Sequence, residues 1–285
     1  MNTQPVRKMQ AADVDSLRLA VRYLEHPSLA ARLTSFIGAP IEEGFRLLPA
    51  PMYERVHDTA VAVVKQALNV AVASMPGRAR PGPSRDGLHR YLGMGTGAVG
   101  GFFGLPGTLV ELPFTTTLML RSIADIARAE GEDFTDPLAR LACVEVFAYG
   151  GRPRDDDAAE TGYYGLRLAL ALHFSTVSAR LVQRGLVEPS LPAVVAMVRG
   201  IAARFGVAIG DKLAFQLVPV FGAATGAIAN AVFMDHFQDM ARGHFTVRRL
   251  ERAYGQPQVR RAYEKLRLED FREREARRAA VQASA

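Results

Sequence analysis

Apolar positions in this chain recur mostly at helical spacing, and two stretches are apolar all round. From Ala12 to Ile37 they fall at Val14, Leu17, Val21 and Leu24, then at Leu29, Leu33, Phe36 and Ile37. That period predicts a helix interrupted at Pro27, since proline removes a backbone donor and clashes with the preceding turn. A second helix is predicted over Met52–Ser74. The run PGRARPGPSRDG, Pro76 to Gly87, is too rich in Pro and Gly for a helix and reads as a loop. Gly and apolar residues then dominate to Pro113, after which a helix is predicted to about Glu130. Asp136 before Pro137 has the form of an N-cap with proline at the first helical position, opening a helix that ends near Gly150–Gly151. RPRDDDAAE is a second loop, followed by predicted helices over Thr161–Arg184 and Leu191–Ile209 and an apolar segment from Leu213. Alternating Val/Ile/Thr runs between hairpin turns are absent. The expected fold class is all-α, a single domain of about nine helices. Its expected parts are an N-terminal helical extension (1–75), a linker (76–87), a helical core (88–255) and a charged C-terminal helix (256–285).

The two apolar stretches differ from ordinary core helices. Thirty residues between Arg90 and Arg121 carry one charge, Glu111, and twenty-two between Lys212 and Asp235 carry none. Each is long enough for a bilayer span of about 20 residues. Each is also broken near its middle, by Gly104–Leu105–Pro106–Gly107 in the first and by Pro219 with Gly222 in the second, where Phe221 is a candidate membrane-contact or packing residue. Pro, Gly, Gln216 and Asn230 make both poor fixed spans. Small residues spaced by four (Gly93, Gly97, Gly101; Gly100, Gly104; Gly222, Gly226) align on one face and let another backbone approach. Two readings follow: tightly packed helices of a soluble bundle, or paired central hairpins that dip into one membrane leaflet.

Composition narrows the class. The 285 residues are 49% hydrophobic and 22% charged, enough for a sizeable core and unlike a disordered chain. The first residues, Met1 to Pro27, hold no continuous apolar stretch, and Cys143 is the single cysteine. Together these favour the cytosol. The formal charge of +6 concentrates between Arg248 and Arg278, where 11 Lys/Arg meet 6 Asp/Glu. Signs alternate closely there, as on a solvated helix, although attraction to an anionic membrane surface is open to it. No nucleic-acid motif is present, so no nucleic-acid partner is expected.

The two apolar stretches end alike. LMLRSIADIARAEG and VFMDHFQDMARGHF superpose so that Asp125 and Arg128 fall on Asp239 and Arg242, which suggests a duplicated helical unit. Polar residues in apolar surroundings are the place to seek chemistry: Glu111, Glu145, the Arg121/Asp125/Arg128 face, the Asp235/Asp239/Arg242 face, His236 and His244. Charges so placed are costly unless paired, so an interhelical ion-pair network is the first reading. A metal site of Glu111, Glu145, Asp239 and His236 is a second, although the Glu-x-x-His motif of di-metal bundles is missing. General acid/base hydrolysis by His236 or His244 with Asp235 or Asp239 is a third. Gly95 to Gly101 imitates a dinucleotide fingerprint but lacks the strand that should precede it. Cys143 reads as core, and Thr115, Thr116 and Thr117 as first-turn helix residues after Pro113.

The strings GLPGTLVELPFTTTLMLRSIADIARAEGED, GYYGLRLAL and FMDHFQDMARGHFTVRRLERAYG resemble blocks of the EcsC protein family, over roughly Gly87 to Tyr263. The resemblance implies a bacterial, helical, membrane-associated accessory protein and supplies no activity, cofactor or catalytic residue. The expectation is a non-enzymatic protein at the inner face of the cytoplasmic membrane, bound to its surface or to a membrane protein, a transporter being one option, with no cofactor. A soluble hydrolase or metal-dependent enzyme, and a binder of lipid or another hydrophobic ligand, are the alternatives.

Overall fold

The computed structural model describes residues 8–25, 29–37, 50–74, 84, 86–102, 104–151, 162–184, 191–217 and 222–283. Among these residues the chain forms ten helices and no strands. The N-terminal part supplies α1 (Ala11–Glu25), α2 (Leu29–Ile37) and α3 (Ala50–Ser74). The first apolar stretch folds as α4 (Asp86–Phe102) and α5 (Gly104–Ala129). Then come α6 (Pro137–Tyr149), α7 (Tyr163–Arg184), α8 (Pro192–Leu217), α9 (Gly222–Tyr254) and α10 (Gln256–Ala283).

Local chemistry sets several of these boundaries. Asp136 caps α6 as its sequence foretold: its backbone is extended and its Oδ1 accepts from the Leu138 amide at 2.9 Å, with proline next. α5 ends where Gly131 takes a φ of 80°, so that the Gly131 and Glu132 amides reach back to the Arg128 and Ala127 carbonyls. Only glycine adopts that left-handed turn at little cost.

Two boundaries differ from expectation. The predicted helix Leu191–Ile209 and the apolar segment from Leu213 are one helix, α8; Asp211 and Lys212 do not interrupt it but lie buried within it. Pro113, expected just before a helix, sits inside α5. Thr115, Thr116 and Thr117 are therefore mid-helix rather than first-turn residues. Of the break expected at Pro219 with Gly222, Pro219 lies outside the described residues, as does Phe221, and Gly222 opens α9.

The long helix α9 is the axis of the fold, with α4, α1 and α5 packed along it and α10 folded back from its end. α8 gathers a second group, α3, α6, α7 and α2. The two groups meet through four phenylalanines, Phe147 of α6, Phe205 of α8 and Phe233 and Phe237 of α9. Their ring centroids lie 4.9–6.0 Å apart. The most extensive helix contact is α4 on α9, and glycine permits its close approach. A Cβ built on Gly97 would fall on the Gly226 carbonyl oxygen and 2.6 Å from the Asn230 amide nitrogen. α8 is long and apolar enough to cross a bilayer, yet half of that apolar window is buried in the protein.

Candidate functional site

α5 divides its side chains between two faces. Thr108, Glu111, Thr115 and Met119 follow helical spacing on the inner face and are buried. Val110 and Phe114 point outward and are 71% and 66% exposed. On α4 the outward positions are Leu88, Tyr91, Leu92 and Val99, again exposed and apolar. A groove of about 620 Å3 lies between the two helices. Val99, Val110 and Phe114 form its walls and Thr96 and Glu111 its floor; Gly95, Gly100 and Gly107 also line it, and at Gly95 an added Cβ would meet open space.

Beneath the groove sits a buried polar network that four helices assemble. The Glu111 Oε2 accepts from the Lys212 ammonium of α8 at 2.8 Å. Its Oε1 accepts from the Asn230 side-chain amide of α9 at 2.6 Å and from the Thr115 hydroxyl. Asn230 also donates to the Gly93 carbonyl at 2.8 Å and lies 3.3 Å from the Thr96 hydroxyl of α4. Lys212 is wholly buried, with its Nζ 5.3 Å from the Phe233 ring centre. Burial lowers its pKa, and the charge and hydrogen bond of Glu111 oppose that fall. Nearby, Thr108 donates to Gln216 at 2.6 Å. The single acid of the first apolar stretch is thus neutralised by a lysine from the boundary of the second.

A second network surrounds Glu145 and His244. Tyr149 donates to Glu145 at 2.5 Å, and the His244 Nδ1 meets the Tyr163 hydroxyl at 2.9 Å. His244 Nε2 stands 3.9 Å from Glu145. Burial and the Arg167 and Arg248 charges hold the imidazole well below its usual range. Burial pushes the Glu145 carboxyl up, while the Tyr149 hydroxyl and nearby arginines pull the other way. Around them, Arg167 pairs with Glu251 at 2.8 Å and Tyr263 donates to Glu25 at 2.8 Å. Arg167 and Glu251 also line a cleft of about 400 Å3 with Arg248, Arg252 and Glu132.

The remaining candidates form paired charges at helix surfaces. Asp125 binds Arg128 at 3.0 Å and His89 at 3.0 Å. Asp239 binds Arg242 at 2.7 Å and Arg32 at 2.7 Å, while Arg242 reaches Asp86 at 2.5 Å. The two D-x-x-R endings therefore make the same i,i+3 ion pair. Asp235 faces Arg90 at 3.1 Å, and Arg121 is exposed on α5. His236 is buried with Nε2 2.8 Å from the Gly150 carbonyl.

Glu111, Glu145, Asp239 and His236 consequently have separate partners and do not share one site. No group of three or more His, Cys, Asp or Glu is placed to hold a metal ion among the described residues. Cys143 is core, as its apolar helix implied: it is fully buried, and burial raises its thiol pKa. Of the tight-packing candidates, Gly97 and Gly226 meet across the α4–α9 contact. Gly101, Gly104 and Pro106 lie at the α4–α5 turn, Gly222 opens α9, and Pro219 and Phe221 are outside the described residues. Lys212, Thr96 and Thr115 carry the main network but did not stand out in the sequence. Only Lys212 carried a signal, its rarity as one of four lysines; the threonines carried none.

The EcsC protein family matches residues 20–250 of this chain. The chain belongs to the EcsC protein family. The match reaches back from the α4–α5 hairpin through α2 and α3 into α1, and forward almost to the end of α9. It takes in every residue of the Glu111 network. No curated protein and no solved structure matches the chain.

Proposed function

We propose that this EcsC-family chain is a non-enzymatic accessory protein that docks peripherally on the cytoplasmic membrane through the outer face of the α4–α5 hairpin. One observation carries the reading. Between Arg90 and Arg121 the outward side chains among the described residues are apolar, and the one charge in that interval is turned inward onto Lys212. Tyr91, Val99, Val110 and Phe114 are each more than 60% exposed on this face. An exposed apolar surface of this kind marks an interaction site rather than ordinary protein surface. A bilayer suits it because an inserted hairpin has to present no uncompensated charge to hydrocarbon.

Arg90 on α4 and Arg121 on α5 bound the apolar interval on the side away from the turn. At a rise of 1.5 Å per residue, about 18 Å of α4 separates Arg90 from the turn, close to the ~15 Å hydrocarbon depth of one leaflet. That geometry supports insertion into one leaflet, with the arginines at phosphate level. Flotation of the purified full chain with phosphatidylglycerol-containing vesicles tests the reading. Wild type should float, and Val110→Glu or Phe114→Glu should remain at the bottom with unchanged helicity. Flotation of both variants would refute it.

A further inference from the structure

The membrane reading needs only an apolar surface, yet this hairpin carries a groove as well. A chain of the bilayer could fill it, or the wall side chains could simply lie flat in hydrocarbon. Three features favour a specific occupant. The space stays open at Gly95, where an added Cβ would meet no atom within 4 Å and a longer side chain would enter the groove, while Gly100 lets α4 close on Glu111 of α5. Its walls, Val99, Val110 and Phe114, hold no polar side-chain atom, which suits a hydrocarbon chain. Its floor is polar but already satisfied, since the Glu111 oxygens accept from Lys212, Asn230 and Thr115 and make no demand on a ligand.

Charge completes the match. Arg121 lies on the same face of α5 as Phe114, two turns further on and about 10 Å along the axis. It is exposed and lies beyond the end of the groove away from the turn. An acyl chain running in the groove toward the turn would leave its phosphate beside that guanidinium, a pairing for which arginine is well suited.

We infer that the α4–α5 groove binds one acyl chain of an anionic phospholipid, with Arg121 beside the phosphate. This rests on the membrane reading, and one substitution separates the two. A Cβ at Gly95 meets no atom within 4 Å, so a side chain there leaves the backbone in place and extends into open space. Leucine also favours a helix more than glycine does. Gly95→Leu narrows the groove while leaving the outer face at least as apolar as before.

The full chain is mixed with phosphatidylcholine–phosphatidylglycerol vesicles in which the phosphatidylglycerol carries a diazirine on one acyl chain. Flotation is scored, and after irradiation the labelled residues are mapped. Wild type should float and be labelled at Thr96, Val99 and Val110. Gly95→Leu should float equally and lose that label, and Arg121→Gln should float with weaker groove labelling. Labelling of Tyr91 and Leu92 without Thr96, or groove labelling that survives Gly95→Leu, overturns the inference and leaves membrane docking standing. Failure to float, with groove labelling by a short-chain soluble phosphatidylglycerol, overturns docking and retains the chain site. A dimer in solution that Gly95→Leu dissociates assigns the groove to a second copy and overturns the inference.

Discussion

Glu111 and Lys212 show how one residue pair can decide the fate of an apolar segment. Each alone would be an uncompensated charge in a site where neither is more than 8% exposed. Removing one partner of such a pair costs about 3–5 kcal/mol, because the other charge stays buried. Glu111→Gln and Lys212→Met should therefore each lower the urea midpoint strongly. The double variant should recover most of the loss, since nothing charged remains. A double variant no more stable than the worse single would mean that geometry, not charge, is what the pair supplies. At the second network the sign of the pH effect can be worked out. The folded-state pKa of His244 is depressed below the 6.5 of a free imidazole. The unfolded chain then binds more protons below about pH 6.5, so stability falls as pH drops through that value. His244→Phe keeps a ring against Tyr149 and should flatten this part of the stability–pH curve. It should also cost about 1–3 kcal/mol, because the buried Tyr163 hydroxyl loses its imidazole partner. An unchanged slope would place the titration on another group.

At the scale of elements, two glycines of α4 two residues apart make opposite predictions. Gly97 faces the α9 backbone at Gly226, where an added methyl has no room, and Gly95 faces the open groove. Gly97→Ala should destabilise by about 1–3 kcal/mol through overpacking. Gly95→Ala should raise stability by about 0.5–1 kcal/mol through helix propensity. Thermal unfolding of the two variants distinguishes a packed helix crossing from loose association of the hairpin with α9. The sequence announced much of this element. Its apolar run, its glycine spacing and its isolated Glu111 all pointed to a hairpin with one exceptional charge. The partner of that charge was illegible, because Lys212 marked the edge of another segment and nothing local links positions a hundred residues apart. Pro113 misled for a related reason: local rules place proline at a helix start, whereas the packing of α5 against α4 and α9 carries the helix through it. The Tyr149, Tyr163, Tyr164 and Tyr263 cluster escaped notice for want of any periodic signal, since its members come from α6, α7 and α10. Similarly, the charged C-terminal helix read as solvated, yet Val259, Tyr263 and Leu266 form a buried seam on it.

For the whole molecule, the question is which surface would bring it to a membrane. The arginines of α10 are the obvious electrostatic candidate, and some of them gather where Arg274 and Arg277 line a cleft of about 440 Å3 with Arg22 and Arg32. Their internal pairing, rather than their position, argues against a leading role. Arg32 binds Asp239, which lies seventeen residues along α9 from Gly222. At 1.5 Å per residue that is about 25 Å from the end of α9. Gly97 and Gly93 pack on α9 at Gly226 and Met234, so the distal half of the hairpin lies toward that end. Arg90, at phosphate level in the proposed insertion, pairs with Asp235, one turn of α9 from Asp239, so the cleft would stand within about one Debye length, about 8–10 Å, of the membrane surface and distance alone does not silence it. The cleft charges are, however, partly spent internally, as Arg22 and Arg274 share Asp270 at 3.6 and 3.1 Å. Vesicle binding should accordingly persist at high salt and survive Arg274→Glu with Arg277→Glu, because apolar insertion is insensitive to screening. Flotation lost on adding salt, or lost in the double charge reversal, would transfer the attachment from the hairpin to the arginine-rich helix. The hairpin would then have to answer to a different partner.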